Sequence, residues 1–196
     1  MLGRLRDWGI ARWLMVPADY LAKKVESRPQ WIKSDRVEDI YSVSGCVSRN
    51  FCDYISLWKH NGWWLFDTPE KIAQVAEIKH VDLSEYKIFY YEIYEKQFDD
   101  KTAAWELFEP EKSLETKVVP PSNRSLAGYD VVSFFARTSP ECSPLSCNSL
   151  AETIPVNAHC LIPSLDEAIR LVEAGAFENS EPGPYRIFAV YTVDLS

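Results

Sequence analysis

Apolar and polar positions alternate with period two along Tyr185–Val193, where Ile187, Ala189, Tyr191 and Val193 stand against their neighbours. That alternation predicts a strand with one face in the core, inserted beside strands from earlier in the chain. The run 86–94, Tyr-Lys-Ile-Phe-Tyr-Tyr-Glu-Ile-Tyr, is dense in aromatic and β-branched residues and predicts a central strand. Trp105, Glu106, Leu107 and Phe108, beyond the Asp99-Asp100 turn, supply its antiparallel partner. Further strands are predicted over 37–44, at Val118-Val119 and over 129–135. Residues 54–58 and 63–66 flank Asn61-Gly62 and predict a hairpin, because Asn-Gly readily adopts the positive φ angles of a type I′ turn.

Helical periodicity is clearest over 165–174. Ser164 and Glu167 form a capping box, Leu165, Ala168, Ile169 and Val172 share one face, and Gly175 supplies the stop. Thr68-Pro69-Glu70 gives an N-cap, a proline at the first helical position and an acid in the first turn, ahead of Ile72, Val75 and Ala76. Residues 2–16 mix apolar residues with arginines, and Pro17 opens a second helical pattern carrying Leu21 and Val25. The expectation is a pair of short amphipathic helices, with 1–30 packed on the body. The fold class predicted is α+β, a mostly antiparallel sheet with a few peripheral helices in a single domain over 1–196.

Charge and cysteine usage narrow the function classes. The chain carries 21 basic and 29 acidic residues, a formal charge of -8, and it is unevenly spread. Residues 1–36 hold eight Lys or Arg against four Asp or Glu, so the remainder is net -12. An acidic body disfavours nucleic-acid binding and favours a basic protein partner. Five cysteines in a chain with 46% hydrophobic composition point to free thiols in a reducing compartment, hence the cytoplasm. No apolar run approaches membrane-spanning length, and no membrane partner is expected. Phosphate loops, dinucleotide fingerprints, zincin motifs and serine elbows are missing from the sequence, and no cofactor is expected.

Two sets of residues are candidates for chemistry or binding. Three of the five cysteines and one of the three histidines lie within nineteen residues, as Cys142, Cys147, His159 and Cys160. A zinc site would draw on Cys142, Cys147 and His159 or Cys160, although adjacent extended residues point to opposite sides. A thiol nucleophile would pair Cys147 with His159 as base and Asp130 or Asp166 as orienter. Buried structural thiols and a backbone-bonded histidine explain the same residues without chemistry. The second set is acidic and aromatic: Glu92, Glu95, Asp99, Asp100 and Glu106, with Trp63 or Trp64 as anchor, form the predicted partner-binding surface. Exposed aromatics would also serve a homodimer.

Four segments resemble small bacterial proteins of the polymorphic-toxin immunity kind. They are 126–132 (Leu-Ala-Gly-Tyr-Asp-Val-Val), 143–148 (Ser-Pro-Leu-Ser-Cys-Asn), the helix ending Gly175-Ala176-Phe177, and 185–191 (Tyr-Arg-Ile-Phe-Ala-Val-Tyr). The resemblance covers roughly the last seventy residues and carries no residue-level inhibitory motif. It implies a non-enzymatic cytoplasmic α+β protein that neutralises a toxin by direct binding.

Overall fold

A computed structural model describes residues 15–25, 27–43, 66–107, 118–134 and 142–194. Its centre is β2 (Lys87–Asp99), where the aromatic density lies. β1 (Met15–Lys23) and β3 (Ala104–Leu107) pair with one edge of β2 in succession, and β5 (Tyr185–Val193) pairs with the other. β4 (Arg124–Ser133) closes the far side, so the order is β1-β2-β5-β4 with every pairing antiparallel. The C-terminal strand is thus inserted between two earlier ones, as its alternation predicts. With strands on both edges and cover on both faces, β5 is buried from Tyr185 to Val190.

Period two along the strands sorts the core. One face carries Tyr20, Tyr90, Tyr94, Ile187 and Val131, and receives both longer helices. α1 (Pro69–Lys79) sets Ile72, Val75 and Ala76 against Tyr20, Phe66 and Tyr90 at one end. α3 (Leu165–Glu173) sets Ala168, Ile169, Leu171 and Val172 against the other end. Burial of each large aliphatic side chain contributes roughly 1.5–3 kcal/mol. The opposite face carries Leu21, Phe89, Tyr91, Ile93, Val132 and Phe188 beneath Tyr41, Val43 and Leu161. A polar cluster is embedded there. Asp130, wholly buried, accepts from Ser42 Oγ and Ser143 Oγ, each at 2.6 Å, and from Val43 N at 3.0 Å. Lys23, equally buried, donates to the Ser42 carbonyl and lies close enough to oppose the upward push of burial on the Asp130 carboxyl.

Local signals behave as read at the helices. Thr68 Oγ1 accepts from Lys71 N and Ser164 Oγ from Glu167 N, each at 3.3 Å. The capping box is half realised, because the Glu167 carboxylate takes Arg170 at 2.6 and 2.8 Å. Gly175 adopts φ 69° just past the end of α3.

Four expectations are corrected. The helix predicted from Pro17 through Leu21 and Val25, and with it a helical 1–30, is replaced over Met15–Lys23 by β1. Pairing with thirteen-residue β2 outweighs helical periodicity, and Pro17 is tolerated on an edge strand beside the register shift between Pro17 and Asp19. Residues 1–14 lie outside the described residues. Across the described part of 37–44 there is no strand but one bridge, Ser27 to Asp39, since its amides bond irregularly to the carbonyls of Ala158 and His159. Val118-Val119 is not a strand either: Val118 is buried and Val119 exposed. β4 starts at Arg124, earlier than predicted, because the register shift at Gly128 lets a Gly-containing stretch pair. The predicted 54–66 hairpin lies outside the described residues except Phe66, which bridges to Tyr20.

Candidate functional site

The long connection before α3 is not structureless. Pro144–Cys147 forms the short helix α2, residues 150–152 form a 3₁₀ turn, and bridges from Cys142 and Ile162 to Ser133 and Tyr129 cover the β4 edge. Of the cysteines here, Cys160 carries a free thiol. Cys142 lies beside Asn148 Oδ1 at 3.6 Å, and Cys160 is 1% exposed with burial pushing its thiol up to about 12. Such a thiol is a poor nucleophile at neutral pH. Cys147 is half-buried against the core.

His159 finds partners the sequence reading missed. Its Nδ1 lies 2.6 Å from Asp39 Oδ1, and its ring stacks on Tyr41 at 4.0 Å and 8°. Asp130, the orienter expected for a Cys147–His159 pair, is engaged instead by Ser42, Ser143 and the Val43 amide, and His159 takes Asp39. The turn at 157–160 explains the placement. Asn157 Oδ1 accepts from His159 N at 3.0 Å and Leu161 N at 3.1 Å, and Cys160 takes φ 60°. His159 is thereby turned to Tyr41 while Cys160 enters the core, so the two side chains diverge. Among the described residues no three His, Cys, Asp or Glu side chains gather as a metal-holding group, so the set Cys142, Cys147, His159 is not assembled.

The acids grouped by the sequence separate in the fold. Glu92 shares its face of β2 with Tyr90 and Tyr94, whereas Glu95, Gln97 and Asp99 alternate onto the other. Glu92 accepts from Tyr191 Oη at 2.9 Å and Tyr90 Oη at 3.3 Å, and pairs with Arg124 at 3.3 Å. Its side chain is 12% exposed, and the Arg124 guanidinium lies 5.5 and 5.1 Å from the Tyr90 and Tyr191 ring centres. Glu92 is a structural tie between β2, β4 and β5, which removes it from the surface set. It stands seven strand residues, roughly 23 Å, from Asp99.

The remaining acids collect at the β2–β3 end. Asp99 Oδ1 accepts from Lys101 N at 2.8 Å and Thr102 N at 3.1 Å, and these amides, Thr102's foremost, hold its carboxyl below the ordinary range. Asp100 Oδ2 accepts from Gly183 N at 3.0 Å, tying the turn to the segment before β5. Glu106 accepts from Gln97 Nε2 at 2.6 Å, and Gln97 Oε1 accepts from Arg186 Nε and Nη2 at 3.2 and 3.1 Å. Arg186 is buried 3.9 Å from the Phe134 ring centre, and burial lowers its guanidinium to about 9. A buried cation is therefore joined to a surface carboxylate through one amide. Beside Glu106 stands Leu107, 67% exposed on β3. Trp63 and Trp64 lie outside the described residues.

No protein-family model matches the chain, and neither a curated protein nor a solved structure matches it. The class that can be stated is one of fold, an antiparallel α+β sheet protein. No described helix is long and apolar enough to cross a membrane.

Proposed function

We propose that this protein is a non-catalytic protein-binding domain, of the immunity kind, that neutralises a basic partner protein by direct association. The observation that carries the reading is the β2–β3 end, where Glu95, Asp99 and Glu106 share one face and Asp100 holds the turn, with Leu107 exposed on the other face of β3 across from Lys96. A face carrying several carboxylates suits a partner with a basic patch, and the acidic field of the body speeds encounter. A cytoplasmic setting belongs to the proposal and is supported by the odd count of five cysteines in a chain apolar enough to build its own core.

The test is capture followed by rescue. Immobilised wild-type protein and the triple variant Glu95→Lys, Glu106→Lys, Leu107→Ser are offered to bacterial extract at about 50 mM and about 500 mM salt, since screening separates charge-driven from apolar association. Retained proteins are identified by mass spectrometry, then co-expressed to see whether wild type relieves their toxicity. A basic protein held by wild type at low salt, lost by the folded variant and detoxified on co-expression is the expected result. Equal retention by both forms, or no retained basic protein, contradicts the proposal.

A further inference from the structure

A separate cavity of about 700 Å³ opens at the other end of the sheet, where β2 begins and β5 ends. Its volume falls in the range of small-molecule sites, about 300–1,000 Å³. Three polar side chains reach it from three separate segments, and each is fixed by a neighbour. Lys87 at the start of β2 donates to Tyr41 Oη at 2.7 Å. An ammonium has three N–H donors, so two are left for a ligand. Tyr41 is held by His159 on its ring face and by its backbone N, which donates to the His159 carbonyl at 3.2 Å. His159 is oriented by Asp39 on Nδ1, and because a carboxylate only accepts, the proton of that bond belongs to Nδ1. Nε2 of that tautomer is an acceptor, so His159 serves the cavity by holding Tyr41 and not by contacting an anion.

The rest of the cavity adds hydroxyls and an apolar side chain. Ser125 and Thr192 line it from paired positions on β4 and β5. Leu126, 48% exposed, lines it, while the Ile88 and Val193 side chains pack on the other face of the sheet with Tyr20 and Tyr90. Asp194 is the one acid in the lining, beside the cation of Lys87. In a chain with a formal charge of -8, a cavity that presents a lysine ammonium and hydroxyl donors beside an apolar side chain is set apart from the acidic surface. In the Asp39–His159–Tyr41–Lys87 chain Tyr41 is buried in the core, whereas His159 and Asp39 are partly exposed and Lys87 is exposed. The chain holds donors in fixed positions, which is what lowers the entropic cost of binding.

We infer that this cavity binds a small organic anion, its phosphate or carboxylate group on the Lys87 ammonium, which Tyr41 and His159 hold in place, and its apolar body against Leu126. The site is distinct from the acidic β2–β3 end, and its test does not depend on the proposed protein partner. Phenyl phosphate, inorganic phosphate and benzyl alcohol serve as probes in ¹H–¹⁵N chemical-shift titrations and calorimetry. Wild type is compared with Lys87→Met, which keeps the stem of an exposed residue, and with His159→Phe, which keeps the stack on Tyr41.

Phenyl phosphate should bind saturably, with shifts at Leu126, Thr192 and Lys87. Lys87→Met should weaken it about tenfold or more, as loss of a charge-assisted contact does. His159→Phe should weaken it less, and benzyl alcohol should not saturate. Thermal unfolding of both variants within a few degrees of wild type shows that the loss is local. No saturable shift with phenyl phosphate, unchanged affinity in Lys87→Met, or binding of benzyl alcohol as tight as phenyl phosphate overturns the inference. Inorganic phosphate binding as tightly as phenyl phosphate overturns the organic part of it.

Discussion

At the residue scale, the decisive side chains are polar groups placed inside the sheet layers. Asp130 sits between Tyr129 and Val131 in β4, where alternation alone reads as an outward polar position. Its burial comes from Ser42, 88 residues away in sequence, and from Ser143 and Lys23, none of which a local pattern can reveal. Asp130→Ala should cost about 3–5 kcal/mol in urea denaturation, because it removes the acceptor of two serine hydroxyls and the Val43 amide and the charge opposite a buried lysine. Replacing Lys23 and Asp130 together by Met and Leu should cost less than Asp130→Ala alone. The buried thiols make a second prediction: alkylation mapped by mass spectrometry at pH 8 should leave Cys160 and Cys142 unmodified while Cys147 reacts. A fast Cys160 would contradict the burial that raises its thiol to about 12. The alkaline limb follows from sign. Burial first, then nearby carboxylates, raises Tyr185 and Tyr191 to about 12, against an ordinary 10.0. The unfolded chain therefore ionises first, and the stability these groups contribute is complete below pH 10 and lost as pH rises towards 12. Cys160 adds the same sign from pH 9 upward. Arg186, lowered to about 9, works in the opposite direction. The urea midpoint should fall between pH 9 and pH 12, and a midpoint that rises through that window would show the Arg186 contribution to be the larger.

At the element scale, what was legible is what local chemistry determines. β5 was readable from alternation, α1 from Thr68 and Pro69, and α3 from Ser164 and Gly175. β1 was not, because Leu21, Lys23 and Tyr20 acquire their strand conformation from pairing with β2 some seventy residues later. The strand predicted at 37–44 failed for a related reason: its amides bond to a turn rather than to a ladder. For the candidate sites, His159 and the hairpin acids were singled out by residue type. Asp39, Tyr41 and Lys87 were not, since chain distance hides their convergence. Period two already separates Glu92 from Glu95 and Asp99, so that division was in the sequence and went unread. Gly128 tests the pairing of β4 with the 157–162 segment. At φ 148° a Cβ there would lie 2.8 Å from Leu161 Cβ and 3.0 Å from the Ile162 carbonyl. Gly128→Ala should cost roughly 2–4 kcal/mol through strain and overpacking. A change below about 0.5 kcal/mol, within the range of an ordinary surface substitution, would mean that the segment is free to move away from β4. By comparison, Ser164→Ala should remove about 1 kcal/mol with the cap of α3.

At the scale of the whole molecule, the sheet has two chemically different ends. One presents acids and Leu107 around the β2–β3 turn, and the other encloses the cavity edged by Lys87 and His159. The formal charge of -8 acts over distances longer than any one contact, so it governs encounter more than final affinity. The measurement that addresses the central claim most directly is the association rate of the captured basic partner, followed by stopped-flow fluorescence against ionic strength for wild type and for Glu95→Lys, Glu106→Lys. The account predicts a wild-type rate that falls tenfold or more between about 50 mM and about 500 mM salt, and a variant that is slow at both with a flattened salt dependence. Equal rates and equal salt slopes for the two proteins would contradict it and place the binding surface elsewhere on the molecule.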